Sequence, residues 1–200
     1  MPTRSAASHV GRAFSGLCLA GLLVALVLVV FPELRPGSGG DDRPSYAGLT
    51  PAQPVQLSAA DVGLTAPLLG SDRDPVSTLA TPPDDTPLVT WWQDSAEPGA
   101  AQGQTVLTAH ASAEAGGLTA LADLTEGDHL DVATRAGTMR YEVTSVRTLG
   151  PDRLQRASVR LFDQDAGDGG LVAISTEQWD GSRYQRSVVV TAAPLGQPEG

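Results

Sequence analysis

The sequence has no lysine, a single cysteine and only three histidines among 200 residues, and each shortage removes a class of chemistry. All thirteen cations are arginines, the formal net charge is −10, and no stretch of sequence concentrates the cations into a phosphate-tracking run. Nucleic acid is therefore not an expected partner. The lone cysteine, Cys18, lies inside an apolar run and follows Leu17, where a lipidated cysteine needs a small residue before it. It reads as apolar filler, which leaves the rest of the chain without a disulfide and without a cysteine nucleophile. No two histidines fall at metal-ligand spacing, so a zinc site is not expected. The acidic stretch "DQDAGDGG" from Asp163 lacks the acid at the fifth position and the Glu at the twelfth that a calcium loop requires, and reads as a solvated turn. No cofactor is expected, and no repeat at a solenoid period is visible.

What is present begins with "AFSGLCLAGLLVALVLVVF", Ala13 to Phe31, which carries no charge. At about 1.5 Å per residue it is long enough to cross a hydrocarbon core of roughly 30 Å. Arg4 and Arg12 precede it, while the following flank mixes Glu33, Arg35, Asp41, Asp42 and Arg43, so residues 1–12 are expected in the cytoplasm, 13–31 as a single-pass anchor, and the remainder outside the cell. A cleaved signal peptide is the competing reading. The apolar run is longer than the roughly 7–15 residues usual for such a region, and no small-x-small cleavage pattern follows it. Residues 32–53, rich in Pro, Gly and Asp, read as a linker that holds a domain at 54–194 off the membrane, and residues 195–200 read as a disordered tail.

From Pro54 onward, short β-branched runs alternate with Gly, Pro, Asp and Ser. "TVLTA", "HLDVAT", "TMRYEVTSV", "LVAIS" and "SVVVTAA" are the clearest strands, and the short "RAG" between the second and third predicts a hairpin. "EAGGLTALADL", with Leu118, Leu121 and Leu124 three residues apart and Gly127 beyond, is the one convincing helical stretch outside the apolar run. Many short strands with one or two brief helices predict an all-β, closed or nearly closed barrel.

Candidate chemistry gathers at strand ends. "LVAISTEQWDG", residues 171–181, reads as a buried strand running into a polar turn, where Ser175 and Thr176 stand in place of a more reactive group. His110 ends the strand "TVLTAH" beside a small-residue loop, a position suited to acid–base work without full burial. His129 alternates among charged neighbours as a solvent-facing strand position, and His9 falls on the cytoplasmic side. Arg183 and Arg186, in the loop that returns the chain to the next strand, have the fixed charge and fork geometry to hold an oxyanion or a carboxylate.

These stretches occur in an order that resembles the sortase family and, within it, the actinobacterial class F type. "WWQDSAEPGAAQGQTVLTAH" resembles the Trp-rich strand, the Pro-Gly turn at Pro98 and Gly99, and the strand that ends in the catalytic His. "LTALADLTEGDHLDV" resembles the following short helix and Gly-Asp turn, and "LVAISTEQWDGSRYQRSVVVTA" the strand, loop and strand that carry nucleophile and arginine. The resemblance implies a membrane-anchored transpeptidase with an eight-stranded β-barrel. In such an enzyme a Cys thiolate attacks a Thr-Gly bond of a sorting-signal peptide and the acyl group passes to an amine, His acting as acid and base and Arg steadying the oxyanion. It assigns the His to His110, although Ala109 replaces the preceding Gly, and places the nucleophile at Thr176, which is not cysteine. The family type reads Tyr-Arg-x-Asn before its last strand, whereas this chain reads Tyr184-Gln185-Arg186-Ser187. Arg186 is thus displaced by one residue, which on a strand turns a side chain to the other face; Arg183 is the fallback.

The missing sulfur carries the functional expectation. A thiol with an ordinary pKa near 8.5 is about a few per cent thiolate at neutral pH and is readily driven further, whereas a threonine hydroxyl needs a base in direct contact, usually one oriented by a third group. Its methyl also stiffens χ1 and crowds the line of attack. The expected protein is a pseudo-enzyme that binds sorting-signal-like or cell-wall peptides. The alternatives are an active hydrolase or transpeptidase using Thr176 or Ser175 with His110, and a structural domain of the cell envelope whose groove has collapsed.

Overall fold

A computed structural model describes residues 45–80, 89–110 and 118–199. The chain divides into two units, Met1–Arg43 and Pro44–Gly200, and the described residues all belong to the second. The expected cytoplasmic segment, the apolar run 13–31 with Cys18, and His9 lie outside the described residues. Among those described, no helix is long and apolar enough to cross a membrane.

Nine strands run β1 (Tyr46–Ala47), β2 (Pro54–Ala59), β3 (Leu64–Ser71), β4 (Val89–Trp92), β5 (Gly103–His110), β6 (His129–Thr134), β7 (Thr138–Leu149), β8 (Asp168–Trp179) and β9 (Tyr184–Pro198). Eight of them close on themselves in the order β9-β7-β6-β2-β3-β4-β5-β8, because β8 pairs back onto β9. The expected all-β closed barrel is thereby observed. Inside it, alternate residues of every strand make one apolar core that includes Leu57, Leu107, Leu130, Tyr141, Leu171 and Val190, all essentially inaccessible to solvent. The period of two that marked these segments in the sequence is the period of burial in the barrel wall. "RAG" forms the predicted hairpin between β6 and β7, with Thr134 N–H donating to the Gly137 carbonyl at 2.8 Å. Across this hairpin Arg140 and Asp131 form a two-pronged ion pair at 2.7 Å, the geometry a guanidinium and a carboxylate favour.

Four expectations need correction. The stretch at Leu118–Asp123 is a 3-10 helix, not an α-helix. Leucines at a strict three-residue interval match three residues per turn, and Leu118, Leu121 and the following Leu124 plug the barrel with that spacing. The α-helix that matters was not anticipated at all. After α1 (Pro75–Leu79), whose amino end Asp74 caps through a 2.9 Å bond from Ser77 N–H, a second helix α2 runs from Pro151 to Leu161. Proline at its first turn suits an amide that has no helical partner there, and Leu154, Ala157 and Leu161 form the stripe that packs on the barrel. The expected linker ends earlier than Gln53, since Tyr46–Ala47 pairs with β9 and Leu49 is buried in the core. The expected tail is strand through Pro198 for the same reason: β1 supplies its hydrogen-bond partner.

Gly99 shows why the Pro-Gly turn needs glycine. Its φ is +94°, and a Cβ there would meet the Leu49 carbonyl oxygen at 2.6 Å, so the β4–β5 connection packs backbone to backbone against the segment that follows β1.

Candidate active site

Strands β5 and β8 run parallel in a register that sets His110 beside Thr176, and β9 returns antiparallel with Ser187 opposite Thr176. Along β8 the side chains alternate: Leu171 and Ala173 enter the barrel core, while Val172 and Ile174 face outward under α2. Thr176 continues the outward set and Ser175 the inward one, as the two-residue pleat requires. Ser175 is wholly buried, and its hydroxyl has no hydrogen-bond partner among the described residues. Facing the core, it cannot attack a peptide in a surface cleft, which removes it from the two candidate hydroxyls.

Thr176 and His110 do come together. Nδ1 of His110 lies 2.8 Å from Oγ1 of Thr176, and the same hydroxyl reaches the Ala109 carbonyl at 3.4 Å. The imidazole stacks on the ring of Tyr184 at 4.9 Å between centroids and 11° between planes, and Trp179 meets Tyr184 edge-on. The parallel β5–β8 register thus delivers one ring nitrogen to the hydroxyl, while an aromatic from β9 covers a face of the imidazole and restricts its rotation. Thr176 is 1% exposed and sits at the floor of a cleft of about 160 Å³ between α1 and α2. The cleft walls are chiefly apolar, with Val76 and Leu79 from α1, Leu154 and Phe162 from and just beyond α2, and Tyr184 with Arg183 from the β8–β9 return.

The two arginines separate. Arg186 is paired across the ladder with Glu177, one residue out of phase with Thr176 and Ser187, and its Nε stands 3.2 Å from Glu177 Oε2 without the N–H being aimed along that line. It does not line the cleft. Arg183 does, and it also reaches within 4.0 Å of Asp152 at the start of α2. Gln185, which follows Tyr184 where the family pattern has its arginine, donates from Nε2 to Asp180 Oδ2 at 2.6 Å. Asp180 organises the return: its other oxygen accepts from the Ser182 and Arg183 amides at 2.8 and 2.9 Å and from the Ser182 hydroxyl at 2.8 Å. Those donors, the Arg183 amide first, lower its pKa from 3.8 to about 2. The turn also sets Gln178 at φ +62°, a left-handed conformation uncommon for a residue with a side chain, at the point where β8 leaves the cleft.

The sequence reading missed Tyr184, Asp180 and both helical walls. The aromatic run of "QWDGSRY" was the available signal for the first, and proline after glycine at 150–151 the signal for α2. His129 is half-buried at the start of β6, where its amide donates to Asp61. The acidic turn after Asp163 folds on itself, Asp163 Oδ1 accepting from the amides of Asp165 and Ala166. No group of acids, histidines or cysteines suited to a metal occurs among the described residues.

Comparison with known proteins agrees with this architecture. Solved structures similar to this chain include sortase A from Corynebacterium diphtheriae, at 16% identity and TM-score 0.55, covering 95% of this chain and 74% of that one. Sortase C-1 from Actinomyces oris is similar at 18% identity and TM-score 0.53, over 72% of this chain and 76% of that one. A Clostridium perfringens sortase D5 transpeptidase is similar at 13% identity and TM-score 0.52, over 72% and 79%. At such identities the likeness establishes the fold alone. A search of curated proteins finds no match. The sortase domain model matches residues 58–195, well over half of the chain. The chain belongs to the sortase family.

Proposed function

We propose that this protein is a membrane-anchored, extracellular sortase-like module of the class F type that binds sorting-signal-like or cell-wall peptides and is deficient in cleaving them, because Thr176 stands at the nucleophile position. The observation that carries the reading is the 2.8 Å contact between His110 Nδ1 and Thr176 Oγ1, with Thr176 lining an open apolar cleft. The frame of the family mechanism is supported by this pairing, yet the atom offered to the imidazole is an alcohol oxygen. Removing the nucleophile of a hydrolytic triad costs about a million-fold in turnover. A hydroxyl with a branched, buried Cβ recovers little of that without a strongly oriented base. The arginine available to an oxyanion is Arg183, since Arg186 is turned to Glu177.

The same contact favours one second reading. A distance of 2.8 Å is within general-base reach, so a threonine-dependent hydrolase or transpeptidase satisfies the geometric requirement. The third reading, a structural envelope domain with a collapsed groove, is not favoured by the open cleft.

Full-length protein in detergent, wild type and Thr176→Cys, incubated with a fluorogenic LPxTG-type peptide library and an amine acceptor, separates the two. Cleavage by the Cys variant alone supports the pseudo-enzyme. Cleavage by wild type that is lost in Thr176→Ala overturns it in favour of a threonine enzyme. Failure of wild type to bind the peptides by fluorescence anisotropy overturns the binding function.

A further inference from the structure

The flank of α2 that faces away from the cleft holds a second concavity. Ser145, Arg147 and Leu149 alternate to the outer face of β7, in register with Thr191, Val189 and Ser187 on β9, and α2 lies across this surface. Between helix and sheet is a hollow of about 350 Å³, within the roughly 300–1,000 Å³ usual for small-ligand sites. Arg153 and Arg160 of α2 and Arg147 of β7 line it, together with Gln104, Ser145 and Thr191, above an aliphatic floor of Leu149, Ala157, Leu161 and Val189. Arg156 falls on the same stripe of the helix, three residues from Arg153 and four from Arg160.

The charge of this hollow runs against that of the molecule. The chain has 23 acids for 13 arginines, yet none of Arg147, Arg153 and Arg160 has an ion-pair partner among the described residues. Like charges gathered in one concavity repel, and the concave wall concentrates their field. Asp168 lines an adjoining hollow that shares Gln104, Arg160 and Thr191 with the basic site. Three guanidinium groups brought from two elements match an anion with oxygens on several sides better than a planar carboxylate, which a single fork saturates. The hydroxyls and the amide of Gln104 add neutral hydrogen-bonding groups, and the aliphatic floor accommodates methylene groups.

We propose that the hollow between α2 and the β7–β9 face is a binding site for an organic phosphate, a phosphate ester with a short aliphatic or polyol part, held by Arg147, Arg153 and Arg160. The site is separate from the Thr176 cleft and stands whether or not that cleft binds peptides. A phosphate ester of this kind is presented by a soluble polyol phosphate or by a phospholipid headgroup, and the two sources differ only in what lies beyond the ester.

The test is NMR titration of the arginine Nε–Hε signals in the full-length protein in maltoside micelles. Glycerol 3-phosphate is added in solution in one arm, and phosphatidylglycerol is doped into the micelle in the other. The proposal expects saturable shifts of the Arg147, Arg153 and Arg160 signals in at least one arm, weakened by added salt. It also expects a loss of affinity on the order of tenfold or more in Arg147→Gln/Arg160→Gln and no change in Arg135→Gln, a control on the β6–β7 turn. A response to the lipid arm alone assigns the source to a membrane headgroup, and a response to glycerol 3-phosphate assigns it to a soluble ester. Equal binding by glutarate in solution or oleate in the micelle, an unchanged affinity in the double variant with its melting temperature intact, or no response in either arm overturns the proposal.

Discussion

The two flanks of α2 are built from the same helix and the same strand β9, and they are opposite in kind. On one side Leu154 and Phe162 help enclose an apolar cleft lined by Thr176, whose hydroxyl meets His110. On the other, Arg153 and Arg160 face Arg147 over a wider, charged hollow. The difference follows from helical geometry. Residues three and four apart share a face, so an eleven-residue helix carries an apolar stripe that docks on the barrel, one apolar shoulder and one basic shoulder. A single element thus separates an apolar cleft from a basic hollow, and the two should respond to different substitutions.

The largest expected effect is on the cleft. Thr176→Cys should raise peptide cleavage by several orders of magnitude over wild type, since loss of a nucleophile costs about a million-fold in comparable sites. Adding His110→Ala to that variant should abolish the gain, as measured by product formation with the fluorogenic peptides. Neither change should alter binding in the arginine hollow, and a coupled response would break the separation of the two flanks.

Next in size is a change that strikes both flanks together. Leu161→Ala removes the side chain with which α2 packs onto Val172, Ile174 and Val189, and should cost about 2–4 kcal/mol in chemical denaturation. Because α2 walls both concavities, ligand binding on both sides should weaken. The double variant Arg147→Gln/Arg160→Gln sharpens the contrast from the other direction. It should leave the cleavage activity of a Thr176→Cys background within about twofold, because surface substitutions of this kind act locally.

The smallest effect concerns the return that carries Arg183 into the cleft. Asp180 has a folded pKa of about 2 against an ordinary 3.8, so its stabilising bonds are fully present above pH 4 and are lost as the pH falls through about 2. The protection factor of the Arg183 amide, its exchange rate corrected for the intrinsic pH dependence, should therefore fall between pH 4 and pH 2. Asp180→Asn should show the looser return already at neutral pH and a flat response across that window.

Much of the barrel was legible because burial in a sheet leaves a period of two in the sequence. "HLDVAT" is β6 residue for residue, and "LVAIS" and "SVVVTAA" lie inside β8 and β9. The site was partly legible for a related reason. His110 ends β5 and Thr176 directly follows the recognisable run "LVAIS" within β8, and the pairing of β5 with β8 then leaves them adjacent. Less visible were elements whose reasons are non-local. Tyr46–Ala47 and the segment through Pro198 look like linker and tail until each supplies the other's backbone partners. Helix α2 hid behind its arginines, because its apolar positions are few and gain their meaning only against the outer faces of β8 and β9.

The sequence by itself determined the all-β pattern, the family frame, the absence of cysteine from the barrel and the presence of a hydroxyl at Thr176. These are written in local composition and in periods of two, which depend on the backbone alone. The tertiary structure decided which arginine meets the cleft, which hydroxyl meets the histidine, and that Arg147, Arg153 and Arg160 line one hollow. A one-residue phase in the β8–β9 ladder turns Arg186 to Glu177 and leaves Arg183 lining the same cleft as Thr176, and the pleat sends Ser175 inward. Side-chain direction at a strand end and the meeting of helix with sheet depend on register and docking, and neither is set until the barrel has closed.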